Sequence, residues 1–521
     1  LDGFDTNSQL DEDHIFNLAK GLGHKVVAIK CFGYQRARDR RLVMTHPAGG
    51  SEVWGVHNNS LANLRRALLE RVLSVQLNGV QTTPPQPADG FVKSEMKGFT
   101  KRLLHAVRRV PTWSTEQFVD SYVGRKRRLY AMAAASVGDV PITRKDAYIT
   151  PFIKDEKTNL TRKDDPCPRI IQPRSARFNY AIGIHLKPME KPIFRGIAAV
   201  FGSTTVMKGL NASQRGIVLE EKWARFTSPV AICLDAKRFD QHVSRDIIDW
   251  EHSVEEALAI DRCSLKRLNA FRKKNTCFIR TNEGGYKYTL NGIRMSGDMD
   301  TALGNCLTMC AMTYSFMANI DVSKYEYMND GDDGVLIVEQ SDSAFVFDNF
   351  VEYFTRFGFT MKLEGTTNII EEVDFCQARP VFDGDHYRFV RDPSICLDKD
   401  SYSLKNNVSV EGMRDLRNSV GWCGLSLAGD MPIFCEFYHS MICGEDSAVD
   451  YTTGMQFLSR GMSSKYAEPT DECRVSFYKA FKITPDQQIV MERDILMSNV
   501  DINRPAVLVT YLTNYLHTLH H

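Results

Sequence analysis

The sequence predicts an α+β fold in which a small antiparallel sheet is backed by helices. Three observations predict it: a short apolar run at 230–234, a turn-rich hairpin pattern at 325–338, and helical apolar periodicity on either side of that hairpin. In chain order, Leu61 to Leu73 repeats apolar residues at helical spacing. The segment from Gln81 to Gly90 carries Pro84, Pro85 and Pro87, which favour an extended, semi-rigid spacer between an N-terminal block and the rest. Val230-Ala231-Ile232-Cys233-Leu234 reads as a buried strand. Ser244 caps a helix running to about Ile260, with Ile247, Ile248, Trp250, Val254 and Leu258 as its apolar stripe. A second helix runs from about Asp298 to Ile320. Tyr325–Met328 and Val335–Val338 flank the turn residues Asn329-Asp330-Gly331-Asp332-Asp333-Gly334. A helix from about Ser343 to Phe357 and a strand from Phe359 to Leu363 complete a β-α-α-ββ-α-β order. After about residue 380 the periodicity is helical or illegible, and the region reads as a separate, mostly helical unit.

Composition excludes several classes. With 521 residues the length suits three to four units of roughly 150 residues. The 43% hydrophobic and 25% charged content excludes disorder as a description of the whole chain. No stretch approaches the roughly 20 consecutive apolar residues of a membrane-spanning helix. The most apolar candidate, Cys306 to Ile320, is interrupted by Thr308, Thr313, Ser315 and Asn319. Leu1-Asp2-Gly3-Phe4-Asp5 has no secretory-signal pattern, and the absent initiator Met reads as an interior segment. His517, His520 and His521 read as a tag remnant. The 13 cysteines include no C-x-x-C, so neither a zinc site nor a disulfide scaffold is expected, and a reducing compartment fits.

The net charge of +1 hides an asymmetry. Residues 91–200 hold 22 Lys and Arg against 10 Asp and Glu, leaving 43 basic and 54 acidic side chains for the other 411 residues. Lys101-Arg102, Arg108-Arg109 and Arg125-Lys126-Arg127-Arg128 concentrate the positive charge. Any one cluster is an ordinary solvated helix face. A regional excess of this size points to phosphate-rich ligands.

Three segments of the middle region carry chemistry. Asp235 ends the buried strand and Asp240 follows five residues later. Ser296-Gly297-Asp298-Met299-Asp300-Thr301-Ala302-Leu303-Gly304-Asn305 places Thr301 and Asn305 on one helix face, with Ser296 on the loop before it. Gly331-Asp332-Asp333 puts adjacent carboxylates in a tight turn, where they repel unless a cation neutralises them. Carboxylate oxygens are hard ligands that suit Mg²⁺ or Mn²⁺. Each segment alone has a bland explanation: a solvated turn, a strand end, a capped helix. Their succession, 61 residues from Asp235 to Ser296 and 36 more to Asp332, makes coincidence a poor account. Nucleotide-binding alternatives fail, since Gly21-Leu22-Gly23 lacks a third glycine and no G-x-x-x-x-G-K-[ST] loop occurs.

This succession resembles motifs A, B and C of viral RNA-dependent RNA polymerases, and more narrowly those of the tombusvirus and carmovirus group (Tombusviridae) of positive-strand RNA plant viruses. Val53 to Leu61, Pro168 to Arg174 and Phe375-Cys376-Gln377, the start of motif E, match as well. The resemblance implies a right-hand architecture of fingers, palm and thumb. It divides the chain into an N-terminal extension (1–80), fingers (81–228), a palm (229–380) with an inserted fingers segment near 262–295, and a mostly helical thumb (381–521). It implies that Asp235 and Asp332 hold Mg²⁺, with Mn²⁺ able to substitute and Asp333 assisting. Asp240, Ser296, Thr301 and Asn305 would read the incoming ribose. Arg169, with Lys154 and Lys157 or Lys163, would form the basic motif F over the triphosphate, and Lys362 would be the catalytic lysine of motif D. The implied partners are a single-stranded RNA template, nucleoside triphosphates and a viral auxiliary replication protein, and initiation without a primer is expected. The implied location is the host cytoplasm at membrane-associated replication complexes, with anchoring supplied by residues outside this sequence or by partners. Two alternatives remain. A reverse transcriptase is disfavoured because Asp240 and Asn305 suit a ribose and Gly331 replaces an aromatic-x-Asp-Asp pattern. A non-catalytic RNA-binding scaffold is disfavoured because it has no need of clustered carboxylates.

Overall fold

The apolar runs and caps read above become helices and antiparallel strands in the computed structural model, which describes residues 1–30, 39–47, 52–322, 324–405, 409–444 and 458–500. His517, His520 and His521 lie outside the described residues. The strand β1 (Lys25–Ile29) precedes α1 (Leu61–Leu68), which Ser60 caps by accepting from the Asn63 amide. The helix predicted to Leu73 forms, with Leu69–Leu73 widened to π geometry. The proline segment is docked rather than free, because Pro84 is buried and the Pro85 carbonyl lies against Gly358. Next come α2 (Lys97–Ala106) and α3 (Gly124–Asp139), whose basic residues Lys101, Arg102 and Arg125 to Arg128 are exposed. The short strands β2 (Phe152–Ile153) and β3 (Ile170–Ile171) pair with each other. The long α4 (Ala176–Phe201) and α5 (Ala212–Trp223) follow.

The predicted β-α-α-ββ-α-β order is realised. β4 (Pro229–Ala236) is buried along most of its length. Ser244 caps α6 (Arg245–Leu258), and all five predicted stripe residues are buried. After the helix Arg262–Arg272, β5 (Lys274–Thr281) and β6 (Gly284–Asn291) form a hairpin that leaves this order and pairs with β1. α7 (Thr301–Ala318) starts three residues later than predicted, because residues 296–300 are used as a loop in which Gly297 takes φ +136°. β7 (Tyr325–Asp330) and β8 (Asp333–Glu339) are longer than read, so the turn shrinks to Gly331-Asp332, with Gly331 at φ +86°. α8 (Gln340–Arg356) leads to β9 (Met361–Thr367), which starts two residues late and carries a bulge between Leu363 and Gly365.

The sheet order is β7-β8-β4-β9, antiparallel throughout. Its main core joins Ile232, Leu234, Leu336 and Val338 of the sheet to Val254, Leu307, Phe316, Phe350 and Phe354 of the helices. A second core joins Ile15, Leu64, Leu68 and Leu73 to Ile149, Ile153, Ile170, Cys277, Tyr286 and Tyr288, so residues 1–80 pack with chain that lies far away in sequence. Beyond the hairpin of β10 (Ala378–Phe382) and β11 (Tyr387–Arg391), the described chain is mostly helical, apart from Tyr402–Ser403, which pairs with Val43–Met44. α9 (Pro393–Asp400), α10 (Val410–Ala428), α11 (Phe434–Ser440) and α12 (Asp471–Phe481) continue it, with a core of Leu425, Phe434, Phe437 and Phe477. The buried Asp398 accepts from the Trp54 indole at 2.7 Å and from the Glu52 amide at 2.9 Å, tying the N-terminal region to α9. None of the twelve described cysteines is in a disulfide. Among the described residues no helix is long and apolar enough to cross a membrane.

Buried histidines give the fold an acid limit. Burial pushes His24, His46, His57 and His242 down to about 4, and His252 well below its usual value. An unfolded chain titrates these groups near ~6.5, so below that pH it takes up protons that the folded chain refuses. Stability contributed by the neutral rings is therefore full above about pH 6.5 and is lost towards pH 4. Urea midpoints should fall steadily between pH 7 and pH 4.5, and a flat profile would contradict this account.

Candidate active site

The sheet register brings the first and third motifs together. Asp235 on β4 stands directly opposite Asp333 on β8, and Lys362 on β9 stands opposite Asp235 on its other side. Directly opposed residues of antiparallel strands project to the same face, so Asp333, Asp235 and Lys362 form a row. Asp332 occupies the two-residue turn at the end of that row. Burial raises the Asp332 carboxyl, and the nearby charges of Asp240 and Asp235 raise it further. Burial and the Asp332 and Asp235 charges push Asp333 up to about 7, against a hydrogen bond from the Cys376 thiol that opposes the rise. Among the described residues no three His, Cys, Asp or Glu side chains already converge as a metal cluster.

The turn itself is pinned from behind by residues that the motifs do not include. The Asn329 side-chain amide donates to the carbonyls of Gly331 at 2.9 Å and Asp333 at 3.1 Å. Asp330 accepts from Arg215 at 2.5 Å and is paired with Lys208. The main chains of Met207 and Asn329 are joined by a 2.8 Å hydrogen bond. Asn329 and Asp330 could have been noticed as polar residues inside an apolar strand pattern. Lys208 and Arg215 carry no local signal.

The second motif meets the first at Asp240. A left-handed Arg238 (φ 50°) turns the chain after β4 into the short helix Phe239–His242. There one Asp240 carboxylate oxygen accepts from the Ser296 hydroxyl at 2.5 Å, and the other accepts from the Asn305 amide at 3.1 Å. Thr301 does not join them. Its hydroxyl donates to the Asp298 carbonyl at 2.9 Å, closing the loop that starts α7. Arg294 donates to Asn305 at 3.1 Å from the far side.

The basic segment is organised by one acid. β2 and β3 set Lys154 beside Arg169, and the Lys154 amide donates to the Arg169 carbonyl at 2.8 Å. Both side chains pair with Glu156, at 2.9 Å and 3.3 Å. Arg169 remains 55% exposed, which leaves it room for a second anionic partner. Lys157 donates to the Lys399 carbonyl at 2.6 Å, burial lowers it to about 8, and it lines the same cavity as Arg169. That cavity, of about 650 Å³, is lined by Arg66, Arg71, Arg162, Lys163, Arg169 and Lys399, among others. Its wall also includes Arg238, three residues past Asp235, and Gln377, next to Cys376. None of Asp235, Asp240, Asp332 and Asp333 lines this cavity.

A family model described as viral RNA-dependent RNA polymerase matches residues 31–503. The chain belongs to that family. The resemblance noted from the motifs thus extends over nearly the whole of this polymerase-family chain. Among curated relatives, the RNA-directed RNA polymerase of melon necrotic spot virus is 40% identical over 466 residues, covering 88% of this chain and 59% of the relative. That of carnation mottle virus is 39% identical over 489 residues, covering 92% and 63%. That of turnip crinkle virus is 37% identical over 464 residues, covering 87% and 59%. The chain thus spans about three-fifths of the length of these relatives.

Proposed function

We propose that the chain synthesises RNA from nucleoside triphosphates on a single-stranded RNA template, replicating a positive-strand viral genome and starting without a primer. The observation that carries this reading is the row of Asp235 opposite Asp333 with Asp332 at its tip. A scaffold that only bound RNA would gain stability by losing such a mutually repelling, buried set. In the right-hand assignment, the four-stranded sheet with α6, α7 and α8 is the palm. Residues 81–228 with the 262–295 insertion are the fingers, and the helical region from 381 is the thumb. The core shared by Leu64, Ile153 and Tyr288 supports placing the N-terminal block with the fingers.

The donor set suits a divalent metal, because buried carboxylates that raise one another are relieved by a cation. Asp235 and Asp332 would hold Mg²⁺ or Mn²⁺, with Asp333 assisting. When bound, such ions activate the attacking hydroxyl and stabilise the departing pyrophosphate. The chain's own side chains position the reactants. Arg169, in the cavity wall, and Lys154 beside it offset triphosphate charge, Asp240 and Asn305 read the sugar, and Lys362, beside Asp235, delivers a proton to the leaving group. An auxiliary viral protein and a membrane surface in the host cytoplasm would complete the replication complex.

Incubating the purified chain with single-stranded RNA, ribonucleotides and Mg²⁺ or Mn²⁺ should give template-complementary product. Absence of product under both metals would sink the reading. Arg169→Ala should lower kcat/KM for nucleotide about 10- to 100-fold, the worth of one charge-assisted hydrogen bond of ~1.5–3 kcal/mol. RNA affinity should stay near wild type. A loss confined to RNA binding would move Arg169 to the template.

A further inference from the structure

We infer that Arg294 is the positioning residue that fixes which end of the Asn305 amide faces Asp240, and so sets the hydrogen-bonding polarity of the sugar site. The inference rests on the proposal that Asp240 and Asn305 read the ribose. A carboxamide can offer its oxygen or its NH₂ to a neighbour, and the two ends are so alike in size that packing does not choose between them. Here Asn305 Nδ2 donates to Asp240 Oδ1 at 3.1 Å, while Asn305 Oδ1 accepts from Arg294 Nε at 3.1 Å. Flipping the amide would set its oxygen against a carboxylate and its NH₂ against a guanidinium. Both contacts would be lost and both replaced by repulsion.

Arg294 can enforce this because it cannot itself turn. Its side chain is 2% exposed, one Nη is paired with Glu251, and the other lies 3.3 Å from Asp300. Thr308 also donates to Glu251, at 2.5 Å, and Arg272 is paired with Asp300. The guanidinium lies where a side chain on residue 304 would be, so Gly304 makes room for it immediately before Asn305. The Arg294 main-chain amide donates to the Asp240 carbonyl at 3.1 Å, so one residue holds both members of the pair. A buried ion network of this extent is often no more stabilising than apolar packing, which leaves orientation as what it contributes. Asp240 then presents only acceptors and Asn305 its remaining N–H. A hydroxyl that donates to one and accepts from the other satisfies both, and a sugar lacking it satisfies neither.

The test is kcat/KM for ATP and for dATP in single-nucleotide addition by Arg294→Lys and Asn305→Ala, with thermal melting of each. Lysine keeps a cation between Glu251 and Asp300 but loses the in-plane donor to Asn305. The ATP/dATP preference of Arg294→Lys should fall about tenfold, and Arg294→Lys combined with Asn305→Ala should fall no further than Asn305→Ala alone. Equal losses on both sugars in Arg294→Lys, with the preference narrowed in Asn305→Ala, overturn the role of Arg294 while leaving the ribose reading intact. An unchanged preference in Asn305→Ala overturns the ribose reading and this inference with it. Should Arg294→Lys fail to fold, Glu251→Gln loosens the guanidinium while keeping a hydrogen-bond acceptor. Its preference should fall about two- to threefold, and an unchanged preference overturns the inference.

Discussion

Asp332→Ala should abolish nucleotide incorporation, by about 10³-fold or more, because electrostatic stabilisation of the transition state is the largest share of such catalysis. The same variant should be at least as stable as the wild type. Burial raises the Asp332 carboxyl, and the charges of Asp240 and Asp235 add to that rise, so in the folded chain the ionised group is a cost. Removing it relieves the repulsion and leaves no hydrophobic cavity, since the turn is held by the Asn329 amide and the Asp330 pairs rather than by Asp332. An inactive variant that melts at or above the wild-type temperature separates a functional carboxylate from a structural one. Activity within a few-fold of wild type would remove Asp332 from the chemistry. A large drop in melting temperature would show that its role is packing.

Local chemistry explains what was legible before the structure. Ser244 and the Ile247 to Leu258 stripe specify their helix within one window, and the Val230 to Leu234 run specifies its strand. The β1–β6 pairing was not legible, because Lys25–Ile29 meets Gly284–Asn291 across more than 250 residues and no local pattern records a partner. Tyr286, Tyr288 and Leu290 alternate with Lys287 and Thr289 after Gly284-Gly285, and this period of two could have revealed the strand. In the site, the resemblance grouped Asp240 with Ser296 and Asn305, which touch it, and Asp235 with Asp333, which faces it. Thr301 shares the helix face of Asn305, yet its hydroxyl is taken by the main chain at the start of α7. Arg294, Glu251, Lys208 and Arg215 were missed because each acts through a tertiary contact. A buried Arg next to a Met in sequence looks like any other.

Asp240→Ala should narrow the preference for ATP over dATP by about 100-fold, since sites built to hydrogen-bond a hydroxyl reject its absence by factors of ~10⁴–10⁵. Both Asp240 oxygens are already engaged, by Ser296 at 2.5 Å and Asn305 at 3.1 Å, but each carboxylate oxygen has a second lone pair for the sugar. With the carboxylate gone, Ser296 and Asn305 lose their common acceptor, and the penalty that dATP incurs by leaving an Asp240 lone pair unsatisfied vanishes. Catalysis on ATP should also fall, because Asp240 lies close enough to raise Asp332 and its removal alters the charge around the carboxylate row. The ratio of kcat/KM values cancels that shared loss, so it reports the sugar contact alone. Thr301→Val should move the ratio far less, its hydroxyl being spent on the Asp298 carbonyl. If Asp240→Ala and Thr301→Val shifted the ratio equally, the contact would be an effect of the loop's shape, and the carboxylate would not be reading the ribose.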